Sequence, residues 1–221
     1  MLAFIYNGFI NSSNKNGYWY KSINILFGSV RKAILFFSDP LISYKLWNYK
    51  IKIPFSHNLP VVMVSHKNYN TNLPRIANYI NSKYKNPFII DIGANVGDTA
   101  ALLRSFINFP VMCVEGDNNY YQLLRSNTQE MKDITYVNSY LGENDEKIKA
   151  SVQTERGTGT ISNTANSSLQ TQKIDTVVKN YPDFINAKLL KIDTDGFDFK
   201  IMKGAVELLK SSKPVIFNEF E

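Results

Sequence analysis

Two acidic strings punctuated by glycine hold the residues best suited to chemistry. The first is Asp91-Ile92-Gly93-Ala94-Asn95-Val96-Gly97-Asp98, which follows an apolar run and opens a helical pattern. Glycine lets a backbone turn sharply and lets a ligand approach with no Cβ in the way. Backbone N–H groups at a helix start face an electronegative ligand group, so Gly93, Ala94, Asn95 and Gly97 are candidate binding residues. Glu115 follows 22 residues after Gly93, at the end of the next apolar run. A nucleotide site built on strand, turn and helix places there the carboxylate that accepts hydrogen bonds from ribose hydroxyls. Together the turn and Glu115 point to an adenosine-containing cofactor. The alternative is a tight turn whose glycines serve packing alone.

The cofactor type follows from what the turn lacks. A dinucleotide fingerprint reads Gly-x-Gly-x-x-Gly, and Asn95 stands where its second glycine belongs. That leaves less room for a pyrophosphate and favours the smaller sulfonium nucleoside S-adenosylmethionine. Asp91 and Asp98 add carboxylates that suit a cationic amino-acid ligand and oppose a pyrophosphate. For Asp98 a helix cap is an equal alternative. No Gly-Lys-Ser/Thr follows the turn, which excludes a phosphate-binding P-loop.

The second string is Lys191-Ile192-Asp193-Thr194-Asp195-Gly196-Phe197-Asp198. In an open α/β sheet, ligands bind beyond the carboxyl ends of the strands, so Asp193 and Asp195 are expected beside whatever the first turn holds. A carboxylate there could take the proton of a substrate hydroxyl or help hold a divalent cation. Asp198 reads as the cap of the next helix. Asp193-Thr194-Asp195 also matches the Asp-x-Asp pattern of metal-dependent glycosyltransferases. The string is not an EF-hand, because the sixth position, Asp198, would have to be glycine. His57, in the proline-bounded turn after Ile51-Lys52-Ile53, is a candidate general base near neutral pH; the alternative is a histidine that hydrogen-bonds its own loop.

The elements that must position these residues alternate along the second part of the chain. Strands are expected at residues 87–92, 111–115, 134–138, 189–193 and 214–220. Helices are expected from Asp98 (with Ala101, Leu102, Ser105 and Phe106 on one face), at 120–129, at 174–179 and at 198–210. An extra strand is expected at 148–153, followed by a flexible turn over Gly157-Thr158-Gly159-Thr160. This alternation predicts a mostly parallel α/β sheet with helices on both faces. Cys113, alone in its type, falls inside a strand as a small buried hydrophobe.

Residues 1–87 read as a basic, aromatic-rich extension or cap, and residues 88–221 as the cofactor-binding domain. The extension carries a charge of +10 and the rest −4, so the extension is expected to face something anionic or to be a solvated basic face. Residues 23–47 mix aromatics with basic residues and read as a helical cap burying its apolar face against the sheet, or as a membrane-interface segment. No run is long enough to span a bilayer. With no secretory layout at the N-terminus, the expected location is the cytoplasm, or the periphery of the inner membrane surface. The basic residues form no recognised nucleic-acid module, so no nucleic-acid partner is expected.

The blocks DIGANVGDTAALL, VMCVEGDNNYYQLLRSN, GTGTI, KLLKIDTDGFDFKIMKGAVELL and KPVIFNEFE resemble the FkbM family of methyltransferases, from about Phe88 to the last residue. The earlier stretches IPFSHNLPVV and NLPRIANYI resemble the lead-in of a bacterial subgroup linked to polysaccharide modification. The resemblance implies the Rossmann-like class I methyltransferase sheet and O-methylation of a hydroxyl, often on a sugar of a glycan, glycolipid or nucleotide sugar. It implies that Asp91, Gly93, Asn95 and Gly97 line the methionine end of S-adenosylmethionine. Glu115 would then hold the ribose, with Gly116 and Asp117 under the adenosine, while Asp193 and Asp195 face the transferred methyl. The family more often carries Glu where this chain has Asp195 and Asp198, and its sheet has two further strands, so this chain is expected to be incomplete at its C-terminus. A metal-dependent glycosyltransferase and a non-catalytic methyltransferase-like binding protein stay as alternatives.

Overall fold

The computed structural model describes residues 2–13, 17–66, 69, 71–155, 157–163, 167–194 and 196–218. The N-terminal part consists of α1 (Leu2–Ser13), α2 (Tyr18–Phe37), β1 (Leu41–Leu46), β2 (Tyr49–Pro54), α3 (Leu59–Ser65) and α4 (Asn72–Lys83). Alternation then begins with β3 (Ile89–Ile92), α5 (Asp98–Arg104), β4 (Val111–Glu115), α6 (Asn118–Thr128) and β5 (Ile134–Asn138). An insertion of short strands follows: β6 (Tyr140–Leu141), β7 (Glu146–Ile148), β8 (Ala150–Glu155), β9 (Thr158–Asn163) and β10 (Leu169–Gln172). The chain returns through α7 (Ile174–Lys179), β11 (Leu189–Ile192), α8 (Asp198–Lys203), α9 (Val206–Ser212) and β12 (Val215–Asn218).

The main sheet runs β12-β11-β3-β4-β5, and all its pairings are parallel. This is the expected Rossmann-like arrangement. Its central strands β3, β4 and β11 are short, nearly continuous apolar runs because helices cover both faces. Successive residues alternate between the two cores. Ile89, Val111, Cys113 and Leu189 enter the core shared with α5 and α6. Ile90, Ile92, Met112, Val114, Leu190 and Ile192 enter the core shared with α7, α8 and α9. Strand order reverses between β3 and β11, and that switch point is where an open α/β sheet leaves room for a ligand.

The N-terminal part shares a hydrophobic core with the α/β part. Ile42, Leu46, Ile51, Ile53, Phe55, Leu73, Ala77 and Ile80 belong to the same core as Ala100 to Leu103 and Leu124. The helical cap expected over residues 23–47 is part helix and part strand: α2 has no buried residue, with Ile34 and Leu35 packed against the core, and β1 buries Ile42 and Leu46. The inner face of α2 meets α1, and its outer apolar face stays in solvent.

Three further expectations are corrected. The helix read over 198–210 is two helices, broken at Gly204, where a Cβ would lie 2.1 Å from the Gly142 carbonyl oxygen. The second helix starts afresh because Asp175 accepts hydrogen bonds from the Glu207 and Leu208 amides at 2.8 and 2.9 Å. The flexible turn read over 157–160 is mostly strand: Gly157 turns with φ +100° and β9 pairs antiparallel with β8. Phe106 lies beyond the end of α5 and is exposed, because the helix stops at Arg104 and the Ser105 hydroxyl bonds back to the Ala101 carbonyl.

Candidate active site

The turn after β3 takes left-handed backbone at every second residue: Gly93 (φ +77°), Asn95 (φ +47°) and Gly97 (φ +88°). Glycine does this without strain, and asparagine tolerates it. The turn thereby folds back on β4. The Gly93 and Ala94 amides both donate to the Val114 carbonyl, at 3.0 and 3.1 Å. The Asn95 amide donates to Glu115 Oε2 at 2.8 Å. These N–H groups therefore do not face a ligand, contrary to the sequence expectation, because the neighbouring strand end takes them up.

Glu115 is pinned from two sides, since its Oε1 accepts the Asp117 amide at 2.8 Å. Each carboxylate oxygen keeps one further acceptor site. Burial pushes the Glu115 carboxyl up to about 7, against the two backbone N–H groups that pull it down.

A cleft of about 640 Å³, open mouth included, lies beyond the carboxyl ends of β3, β4 and β11. Gly93, Asn95, Glu115, Gly116 and Asp117 line it, with Asp193 and Thr194 on the facing strand end. Tyr120, Ser139, Tyr140, Phe197, and Val152 and Gly159 of the β8–β9 hairpin supply the remaining polar and apolar wall. The Tyr140 ring covers Gly116 so closely that a Cβ there would fall 2.3 Å from it. Asp117 caps α6 by accepting the Asn119 and Tyr120 amides.

Asp91, Ala94, Gly97, Asp98 and His57 stand behind the residues that line this cleft. Asp98 opens α5 behind the turn, where Gly97 is the N-cap and burial raises the Asp98 carboxyl. Asp198 braces the second loop instead of capping α8: it accepts from the Thr194 amide at 3.0 Å and from the Thr194 hydroxyl. Asp195 lies outside the described residues. Among the described residues no three His, Cys, Asp or Glu side chains gather as a cation site.

His57 serves the turn, not the cleft. Its Nδ1 accepts the Leu59 amide at 3.1 Å, so the proton resides on Nε2, which donates to Asn95 Oδ1 at 3.2 Å. Burial lowers its pKa, favouring that neutral form. The Asn95 amide group in turn donates to the Gly157 carbonyl at 2.6 Å. One side chain thus ties the N-terminal part, the turn and the β8–β9 hairpin together.

Sequence reasoning passed over Lys191. It stands opposite Asp91 in the β3–β11 register and is 2% exposed. Its Nζ lies 3.1 Å from Asp91 Oδ1 and 3.3 Å from Asp193 Oδ2. No other hydrogen-bond partner reaches the Asp91 oxygens among the described residues. Burial works against the Lys191 ammonium, but Asp91, Asp193 and Asp98 together hold its pKa well above the ordinary lysine value. Burial pushes Asp91 up to about 6 in spite of Lys191. The signal was there to read: a lone cation inside the buried run Leu189-Leu190-Lys191-Ile192 has to be paired.

A family model described as the methyltransferase FkbM domain matches residues 91–221. The match takes in more than half of the chain, including the turn, Glu115, the β8–β9 hairpin and Asp193. The chain belongs to the FkbM methyltransferase family. No curated protein matches it.

In this FkbM methyltransferase the turn tolerates no side chain at its first glycine. A Cβ on Gly93 would fall 1.8 Å from the Asp193 carbonyl oxygen, on a backbone already at φ +77°. Gly93→Ala is expected to cost about 2–5 kcal/mol of stability, read as a lower denaturant midpoint. An unchanged midpoint would show that the two strand ends are not in contact.

Proposed function

We propose that this FkbM methyltransferase moves the methyl group of S-adenosylmethionine to a hydroxyl oxygen of a carbohydrate acceptor. The observation that carries the cofactor reading is the sign of the cleft wall. Three acidic residues line it, Glu115, Asp117 and Asp193, the last paired with Lys191, while the amides of Gly93, Ala94 and Asn95 are bonded elsewhere. Such a wall suits a nucleoside with a cationic amino-acid end and opposes a pyrophosphate. When bound, S-adenosylmethionine supplies an electrophilic methyl on a sulfonium.

The chain's own residues bind and orient. Glu115 accepts from the ribose hydroxyls with its two remaining acceptor sites. Tyr140, over Gly116, bounds the base end of the cleft. Asp193 accepts the proton of the acceptor hydroxyl, with Lys191 fixing its Oδ2. Holding the hydroxyl in line with the methyl is the larger part of the task. The carbohydrate class rests on the resemblance of IPFSHNLPVV and NLPRIANYI to the lead-in of a polysaccharide-linked subgroup.

Calorimetric titration with S-adenosylhomocysteine tests the cofactor, with NAD and a nucleotide sugar run in parallel. Micromolar-range binding of S-adenosylhomocysteine alone is expected. Binding of the nucleotide sugar alone would sink the reading in favour of glycosyl transfer. For the proton acceptor, Asp193→Asn is expected to lower turnover by about 10²–10⁴-fold with S-adenosylhomocysteine affinity nearly unchanged, because an amide accepts no proton. Methyl transfer is followed as labelled methyl on cell-envelope carbohydrate, and full activity of the variant would remove Asp193 from that role.

A further inference from the structure

The outer face of α2 is mostly apolar and largely exposed. Tyr18, Trp19, Ile25, Leu26, Phe36 and Phe37 lie on it, each between 62% and 92% exposed. Their spacing at 3.6 residues per turn puts them on one side of the helix. Only Ser22, Ser29 and Ala33 interrupt them, and the Ser22 hydroxyl is folded back onto the Tyr18 carbonyl at 3.1 Å.

The orientation of α2 is fixed from the other side. Arg31 donates to the Phe55 and Ser56 carbonyls, at 3.2 and 2.7 Å, and lies over the Tyr6 and Phe9 rings. Phe27 packs on Gly8 and against Phe4. Ile34 and Leu35 meet the core. The apolar outer face is therefore held outward by the fold. An exposed apolar stretch of this extent marks an interaction site.

Charge decides the partner. Lys21 and Lys32 are exposed along one edge of the face, and residues 1–38 contain no Asp or Glu. A second copy docking α2 on α2 would bring these lysines toward their own copies with no carboxylate between them. An anionic bilayer surface pairs with each of them and takes the aromatic and aliphatic side chains into its headgroup region. No helix among the described residues is long and apolar enough to cross a membrane.

We infer that α2 lies in the plane of an anionic lipid surface, its outer face inserted and Lys21 and Lys32 at headgroup level. This inference is independent of the cofactor reading.

The test is co-flotation of the full chain with vesicles of phosphatidylcholine and of equimolar phosphatidylcholine–phosphatidylglycerol. The expected result is binding to the anionic vesicles, weakened by salt, with little binding to the neutral ones. Lys21→Ser with Lys32→Ser is expected to weaken it about 10- to 30-fold. Trp19→Ser with Phe36→Ser and Phe37→Ser, all at exposed positions, is expected to remove it while circular dichroism and S-adenosylhomocysteine binding are retained. No binding of the folded wild type to anionic vesicles overturns the inference. So does binding that survives both sets of substitutions, or a dimer in sedimentation that the aromatic substitutions dissolve.

Discussion

Replacing Lys191 by methionine is expected to cost the fold about 3–5 kcal/mol near neutral pH, because removing one partner of a buried ion pair strands the other. The stranded group is Asp91, fully buried and with no other hydrogen-bond partner among the described residues. The loss should depend on pH in a definite direction. In the native protein burial already holds the Asp91 carboxyl up to about 6, against an ordinary 3.8. A carboxyl whose folded value is raised binds its proton more readily when folded. Its cost to stability is therefore full above the folded value and fades as pH falls toward 3.8. Without the ammonium the folded value rises further, so the variant should recover stability relative to wild type on acidification. Lys191→Met combined with Asp91→Asn should recover much of the loss at any pH. Denaturant unfolding at several pH values checks both statements, and a loss independent of pH would show that Lys191 only fills space.

The second large effect is expected at Glu115. On the S-adenosylmethionine reading, Glu115→Gln should weaken S-adenosylhomocysteine binding about 10²–10⁴-fold, the equivalent of two charge-assisted hydrogen bonds. The substitution is not conservative here. Both carboxylate oxygens accept backbone N–H groups, from Asn95 and from Asp117, so an amide must turn its own N–H groups onto one of them. Burial pushes the carboxyl up to about 7, and ribose hydroxyls donate to its ionised form. Wild-type affinity should therefore weaken below about pH 7, approaching tenfold per pH unit. Glu115→Gln should flatten that slope. Calorimetry across this range decides the matter, and a wild-type affinity indifferent to pH would remove Glu115 from the ribose.

Local pattern was sufficient for much of this protein. The parallel strands β3, β4 and β11 were legible because a strand covered on both faces has to be an apolar run. The Asp91–Asp98 turn was legible because only glycine-rich segments follow such a run so sharply into a helix. Glu115 could be picked out by its distance from the turn, since the length of a strand–helix–strand unit is set by the unit itself.

What depended on tertiary structure are the meetings of residues far apart in the chain. Lys191 pairs with Asp91 only because β11 lies beside β3 in that register, and no local pattern encodes a register 100 residues away. The Val114 carbonyl takes the Gly93 and Ala94 amides that the turn would otherwise offer a ligand. His57 and Gly157 reach Asn95 from opposite directions along the sequence, and no local pattern brings the three together. The outward face of α2 was hidden for a similar reason. Both faces of that helix are apolar, and composition alone cannot say which one the core takes.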